Sequence, residues 1–269
     1  MPAISTSFNR FLCLLLLLAP ANSTSADNLP TLSADQLQWL GERVFASECN
    51  SHYACLTSWN EGETFPSLGI GHFIWYQTEQ QEVFEETFPA LLAWLQQQGA
   101  VLPEWLLRLP VMDSPWQSRS QFLQEIDSPR TTELREFLVA TQALQVAFIA
   151  RRLQQQLPAL LAVPTGSARE LLTERFFAVA NSAPPYGLYA LIDYMHFKGS
   201  GLNAAERYNA AGWGLLQVLE AMTTNDLASF VAAAELVLAQ RVLNAPVARN
   251  EARWLAGWQN RVRGYLPLD

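Results

Sequence analysis

Residues 56–76 read LTSWNEGETFPSLGIGHFIWY. Gly, Thr and aromatic residues crowd this stretch, and Asn60-Glu61-Gly62 and Pro66 are turn signals within it. Such composition predicts a short β-hairpin or irregular β segment rather than a helix. The sequence on either side has a different period. Upstream, Ser33 and Gln36 make a capping box, and Leu37, Leu40 and Val44 follow at helical spacing, which predicts a helix running to about Glu48. Downstream, Val83, Phe84, Phe88, Leu91, Leu92 and Leu95 form one helical stripe. Further helices are expected from Ser114-Pro115, over Thr132 to Leu157, after a Ser167/Glu170 cap and after Pro184-Pro185 as far as Lys198-Gly199-Ser200-Gly201. Helices from about Ala205, Asn225 and Val247 complete the pattern. The expected fold is mainly α, a helical bundle with one small β-hairpin lining a cleft.

The chain has 269 residues, half of them hydrophobic and 16% charged, which is enough to bury a substantial core. Arg10 precedes an apolar run from Phe11 to Leu18, and small residues follow. This reads as a secretory signal peptide over residues 1–26, cleaved after Ala21 or Ala26. The run is too short to span a bilayer, and the sequence predicts no other membrane span. Residues 27–269 are read as one domain, without internal repeats or a long linker, and as a monomer. The formal net charge of −8 argues against nucleic acid as a partner. The expected location is periplasmic or secreted. Cys49 and Cys55 are the cysteines that outlast the signal, so a disulfide between them is the default in an oxidising compartment.

Glu48 extends the Leu37, Leu40, Val44 stripe by one turn. A carboxylate at the end of an apolar helix face is partly desolvated, which raises its pKa toward what a general acid needs. Glu61 and Glu63 follow on the expected hairpin, then Ser67 and Gly69-Ile70-Gly71-His72. A helix-end Glu, an acidic hairpin, a hydroxyl residue and Gly-Ile-Gly-His resemble the phage-type lysozymes and the wider lysozyme-like superfamily. The resemblance implies an α+β lysozyme-like fold and an enzyme that cleaves a polysaccharide. It implies Glu48 as general acid, Glu61 as second carboxylate, with Glu63 competing for that role, and Ser67 as the hydroxyl residue. This chain departs from the phage pattern in three ways. It has more residues between Glu48 and His72, Glu where Asp is usual, and Ser where Thr is usual. Gly212-Trp213-Gly214-Leu215-Leu216-Gln217 is similar to the Gly-Leu-Met-Gln stretch of lytic transglycosylases, which share the superfamily.

Glycosidic cleavage needs an acid for the leaving oxygen and a carboxylate to stabilise positive charge or activate water. The resemblance therefore implies a peptidoglycan hydrolase or lytic transglycosylase. A chitosanase-like hydrolase of another β-1,4 amino sugar polymer, or a non-catalytic glycan- or protein-binding domain, are the alternatives. Trp59, Trp75, Lys198, Tyr208 and Trp213 are the expected groove residues, since aromatic faces stack on sugar rings. His72 is placed at the groove with a mainly anchoring role. His52, His72 and His196 are scattered in sequence, so no metal and no cofactor is expected.

Overall fold

The computed structural model describes residues 29–80, 82, 84–203 and 207–267. Helix accounts for 59% of it and strand for 4%, so the chain is mainly α, as expected. The proposed signal peptide lies outside the described residues, as does Val83.

Helix α1 spans Ala34–Cys49. Its start is the expected capping box: Ser33 Oγ accepts from the Gln36 backbone N–H at 3.2 Å, and Gln36 Oε1 accepts from that of Ser33 at 2.9 Å. It ends where Asn50 turns left-handed, at φ 47°. The Cys49–Cys55 disulfide then closes the turn. A single 3-10 turn, Tyr53–Leu56, leads into the sheet.

The β segment has three short antiparallel strands rather than two: β1 (Thr57–Ser58), β2 (Ser67–Leu68) and β3 (Phe73–Ile74). Thr57 faces Leu68, and Ser67 faces Ile74. The Gly-Ile-Gly-His stretch is therefore the turn between β2 and β3. Gly69 takes φ +71°, a region glycine enters at little cost. An added Cβ there would stand 2.5 Å from Gln145 Oε1.

Seven helices follow before the next sheet: α2 (Phe88–Gln97), α3 (Glu104–Leu107), α4 (Arg119–Gln124), α5 (Pro129–Ala140), α6 (Gln142–Leu160), α7 (Ser167–Asn181) and α8 (Tyr186–Lys198). Several boundaries correct the sequence reading. Phe84 precedes α2 and is exposed. Ser114-Pro115 starts no helix. That segment is anchored by Ser114 N–H to Tyr76 O at 2.7 Å and buries Trp116, and α4 takes Ser118 as its cap instead. The long helix expected from Thr132 is split at Thr141, whose hydroxyl donates to Phe137 O at 2.8 Å and accepts from Gln145 Nε2 at 3.0 Å. A side chain that hydrogen-bonds the local backbone in this way competes with the helix ladder. Gly166 rather than Ser167 occupies the cap of α7.

A second hairpin, β4 (Arg207–Tyr208) and β5 (Ala211–Gly212), stands where a helix was expected from Ala205. The chain then forms α9 (Leu215–Ala221), α10 (Leu227–Asn244) and α11 (Ala252–Arg263). By length and composition α10 could cross a membrane, with a mean hydropathy of 1.3, contrary to the sequence reading. Its apolar face is used in the core, where Leu227, Phe230, Val231, Ala234 and Leu238 are buried.

One cluster of buried hydrophobic residues runs from Leu40 and Val44 of α1, through the sheet and α6, to Tyr194 of α8, Leu238 of α10 and Tyr265. At roughly 25 cal/mol per Å², burial of this kind supplies the main favourable contribution to folding. Helix α1 lies against α6 at Gly41, where an added Cβ would meet the Gln142 backbone at 3.1 Å. This packing directs the end of α1 toward the β2–β3 turn.

Candidate functional site

Glu48 is the penultimate residue of α1, and its side chain is 13% exposed. Oε1 accepts from Arg261 Nη2 of α11 at 2.6 Å. Oε2 lies 3.1 Å from His196 Nε2 of α8. Arg261 is itself clamped: its Nε and Nη2 each reach Asp193 at 2.8 Å. Tyr265 donates its hydroxyl to the same Asp193 at 2.6 Å. Asp193 is almost fully buried, which the two hydrogen-bonding partners compensate.

This arrangement reverses one expectation. Burial does push the Glu48 carboxyl up, but the hydrogen bond and charge of His196, with those of Arg261, outweigh it and hold the group down at about 2. Glu48 is thus an anion at neutral pH, not a carboxylic acid with a raised pKa. Its neighbour is shifted toward holding a proton. Burial pulls His196 down, but the hydrogen bond and charge of Glu48 overcome this and raise it above its ordinary value. His72 goes the other way, lowered by burial and by the charge of His196. The two imidazole rings lie nearly parallel, 6.3 Å apart.

His72 sits at φ 46° on the Gly-Ile-Gly-His turn, with Nε2 3.9 Å from the Cys55 sulfur. The turn is held from behind by Gln145 of α6. Gln145 Oε1 accepts from the Ile70 N–H at 3.0 Å, while its Nε2 donates to Leu138 O at 2.7 Å.

A cleft of about 290 Å³ opens beside the turn, lined by Gly71, Phe73, Thr87, Ile149, Arg152, Leu153, Gln156, Ile192, Met195 and His196. A smaller recess, walled in part by the same Gly71, Ile149, Ile192 and His196, contains Glu48 and Asp193. The carboxylate therefore lies in a recess that shares four walls with an apolar cleft carrying an Arg and a Gln.

The remaining predicted residues divide. Glu61 is exposed on the β1–β2 connection. Glu63 accepts from Asn60 Nδ2 at 3.2 Å, and its charge is felt at His72. Ser67 is buried within β2. The three tryptophans expected in the groove are core residues instead: Trp59, Trp75 and Trp213 are 4%, 0% and 6% exposed. Their indole N–H groups explain part of this, since Trp59 donates to Glu63 O at 2.8 Å and Trp75 to Met112 O at 3.0 Å. Lys198 is buried too, with Nζ 3.4 Å from the centre of the Trp258 ring. Tyr208 donates its hydroxyl to Glu251 at 2.9 Å, and the same carboxylate takes Arg241 Nε at 2.8 Å and Arg249 Nε at 3.0 Å. That second cluster ties the β4–β5 hairpin to α10 and the start of α11.

Sequence reasoning missed His196, Arg261, Asp193 and Tyr265 as parts of the site. No local motif marks them, because their partners come from elements far apart in the chain. Among the described residues, Cys49, Cys55 and His72 form the group whose donor atoms are spaced for a metal, and the cysteines are spent on the disulfide.

No protein-family model, no curated protein and no solved structure matches this chain.

Proposed function

We propose that the protein is an exported, lysozyme-like enzyme that cleaves a β-1,4-linked amino sugar polymer, with peptidoglycan the first substrate to test and chitosan the second. The observation that carries this reading is the Glu48–His196 pair, held in a recess adjoining an apolar cleft beside the Gly-Ile-Gly-His turn. Clustered groups with displaced pKa values at a cleft are what acid–base chemistry requires. The disulfide fits an exported protein.

In this reading Glu48 and His196 work as one proton-holding pair. Glu48 carries the negative charge, and His196, raised by it, is the member of the pair that takes up the proton. A glycan entering the cleft excludes water, and the pair delivers its proton to the leaving oxygen. Glu48, left as an anion and still backed by Arg261, then stabilises the oxocarbenium-like centre. Glu63, on the hairpin, is the better placed of the two hairpin acids to activate water, because its charge already reaches the site. Turnover should fall about 10²–10⁴-fold in Glu48→Gln and in His196→Asn with the fold intact. Full turnover in Glu48→Gln on a glycan that the wild type cleaves would falsify the assignment.

A second reading is favoured by the Glu48–Arg261 contact. An ion pair at 2.6 Å is also what a purely structural carboxylate makes, as in a glycan-binding domain without catalysis. Binding of peptidoglycan or chitosan without any release of reducing ends or anhydro products would establish it.

A further inference from the structure

Helix α11 carries Trp254, Trp258 and Arg261 at helical spacing, so the three share one face. Trp254 is 40% exposed, unlike the three buried tryptophans the sequence had placed in the groove. The Trp254 and Trp258 rings are 6.0 Å apart with their planes 30° from parallel. The next ring along is Phe197 of α8, 6.4 Å from Trp258. Its face is covered by the Arg261 guanidinium at 4.3 Å. An aromatic run thus leads from the protein surface to the residue that holds Glu48.

Two cations accompany the run. Arg253 lies 4.3 Å over Trp254, and Lys198 Nζ lies on Trp258. Arg261 and Arg241 nearby are neutralised by Glu48 with Asp193 and by Glu251. Among the described residues, neither Arg253 nor Lys198 forms an ion pair. Burial, and then the charge of Arg241, lower the Lys198 ammonium to about 7. The protein as a whole is acidic, so Arg253 is a local unpaired positive charge beside the exposed Trp254 ring, with the half-buried Trp258 ring behind it.

We propose that Trp254 and Trp258 form a stacking shelf for successive sugar rings of a carboxylate-bearing glycan, with Arg253 receiving a carboxylate. The ring spacing is comparable to one hexose step along a β-1,4-linked chain. Aromatic faces next to an unpaired cation select a glycan with acidic substituents over a neutral or cationic one. This rests on the glycan-cleaving reading and adds to it a binding face and a substrate charge: the shelf favours peptidoglycan over chitosan.

The test is calorimetric titration of the full chain with two tetrasaccharides of equal length, a carboxylate-bearing peptidoglycan fragment and neutral N-acetylated chitotetraose. Wild type should bind the carboxylated oligomer more tightly. Trp254→Ala, at an exposed position, should weaken it about tenfold, the size of one lost stacking contact. Trp254→Phe should recover most of the loss. Arg253→Met should abolish the preference between the two oligomers while keeping neutral binding. Unchanged affinities in Trp254→Ala and Arg253→Met, with tight wild-type binding, would overturn the shelf and leave the Glu48 reading standing. Wild-type binding of neither oligomer would overturn both.

Discussion

Arg261 Nη2 donates to Glu48 Oε1 at 2.6 Å, joining α11 to the end of α1 across 213 residues of chain. The same guanidinium is pinned by the buried Asp193, so it has little freedom to leave. Glu48 consequently meets the recess as a fixed anion, with its second oxygen on His196.

Replacing Arg261 by Met should be costly. It removes the partner of one half-buried and one buried carboxylate at once, and an uncompensated buried charge typically costs about 3–5 kcal/mol. Urea unfolding at neutral pH should show a drop in stability of that order. The Glu48 carboxyl, having lost a cation, should titrate higher than in wild type, which side-chain NMR of a labelled Glu would read.

The Glu48–His196 pair predicts a pH dependence at both ends. The Glu48 carboxyl is lowered to about 2 in the folded state, so its contribution is present above its ordinary value near 4.5 and is lost as pH falls toward 2. The difference corresponds to at most about 3 kcal/mol. His196 is raised, so its contribution is present below about 6.5 and is lost as pH rises through its higher folded value. Unfolding curves of wild type and Glu48→Gln should therefore converge as pH falls toward 2, separate most between about pH 5 and 6, and draw closer without meeting as His196 loses its proton at higher pH, because the Arg261 contact remains.

Gln145→Leu should loosen the Gly-Ile-Gly-His turn without touching the cleft surface. It strands the buried Ile70 N–H and Leu138 O, each a desolvated group worth about 1–3 kcal/mol when unpaired. Hydrogen exchange at Ile70 should accelerate, and the melting temperature should fall. Unchanged exchange at Ile70 would show that the turn holds itself.

How much of this was legible from the sequence depends on how local each signal is. The capping box at Ser33, the end of α1 and the non-helical character of residues 56–76 depend on neighbours in sequence, and they are where the sequence put them. The split at Thr141 and the hairpin at Arg207–Gly212 were not legible. The first depends on a threonine hydroxyl choosing a local carbonyl, and the second on packing against α10. The site divides in the same way. Glu48 stands out at the end of an apolar stripe, but the sign of its pKa displacement is set by Arg261 and His196, which no spacing rule brings to it. The tryptophans show the same limit, since an indole at helical spacing looks alike whether it is buried, as Trp75 is, or exposed, as Trp254 is.

Cys55→Ser should cost about 2 kcal/mol, the loop-closure contribution expected for so short a ring. Because Cys55 also stands beside His72, a larger effect on the proposed glycan turnover than on stability would show that the disulfide positions the turn as well as restraining the unfolded chain.

The close approach of Gly69 to Gln145 constrains how this sequence can drift over generations. A side chain at 69 collides with the very oxygen that holds Ile70. Neither position is free to change first. Loss of the glutamine strands the turn, and loss of the glycine displaces the glutamine and asks a non-glycine residue to adopt φ +71°. Descendants of this chain should therefore keep both residues or exchange both together, and an alignment in which the two vary independently would speak against that coupling.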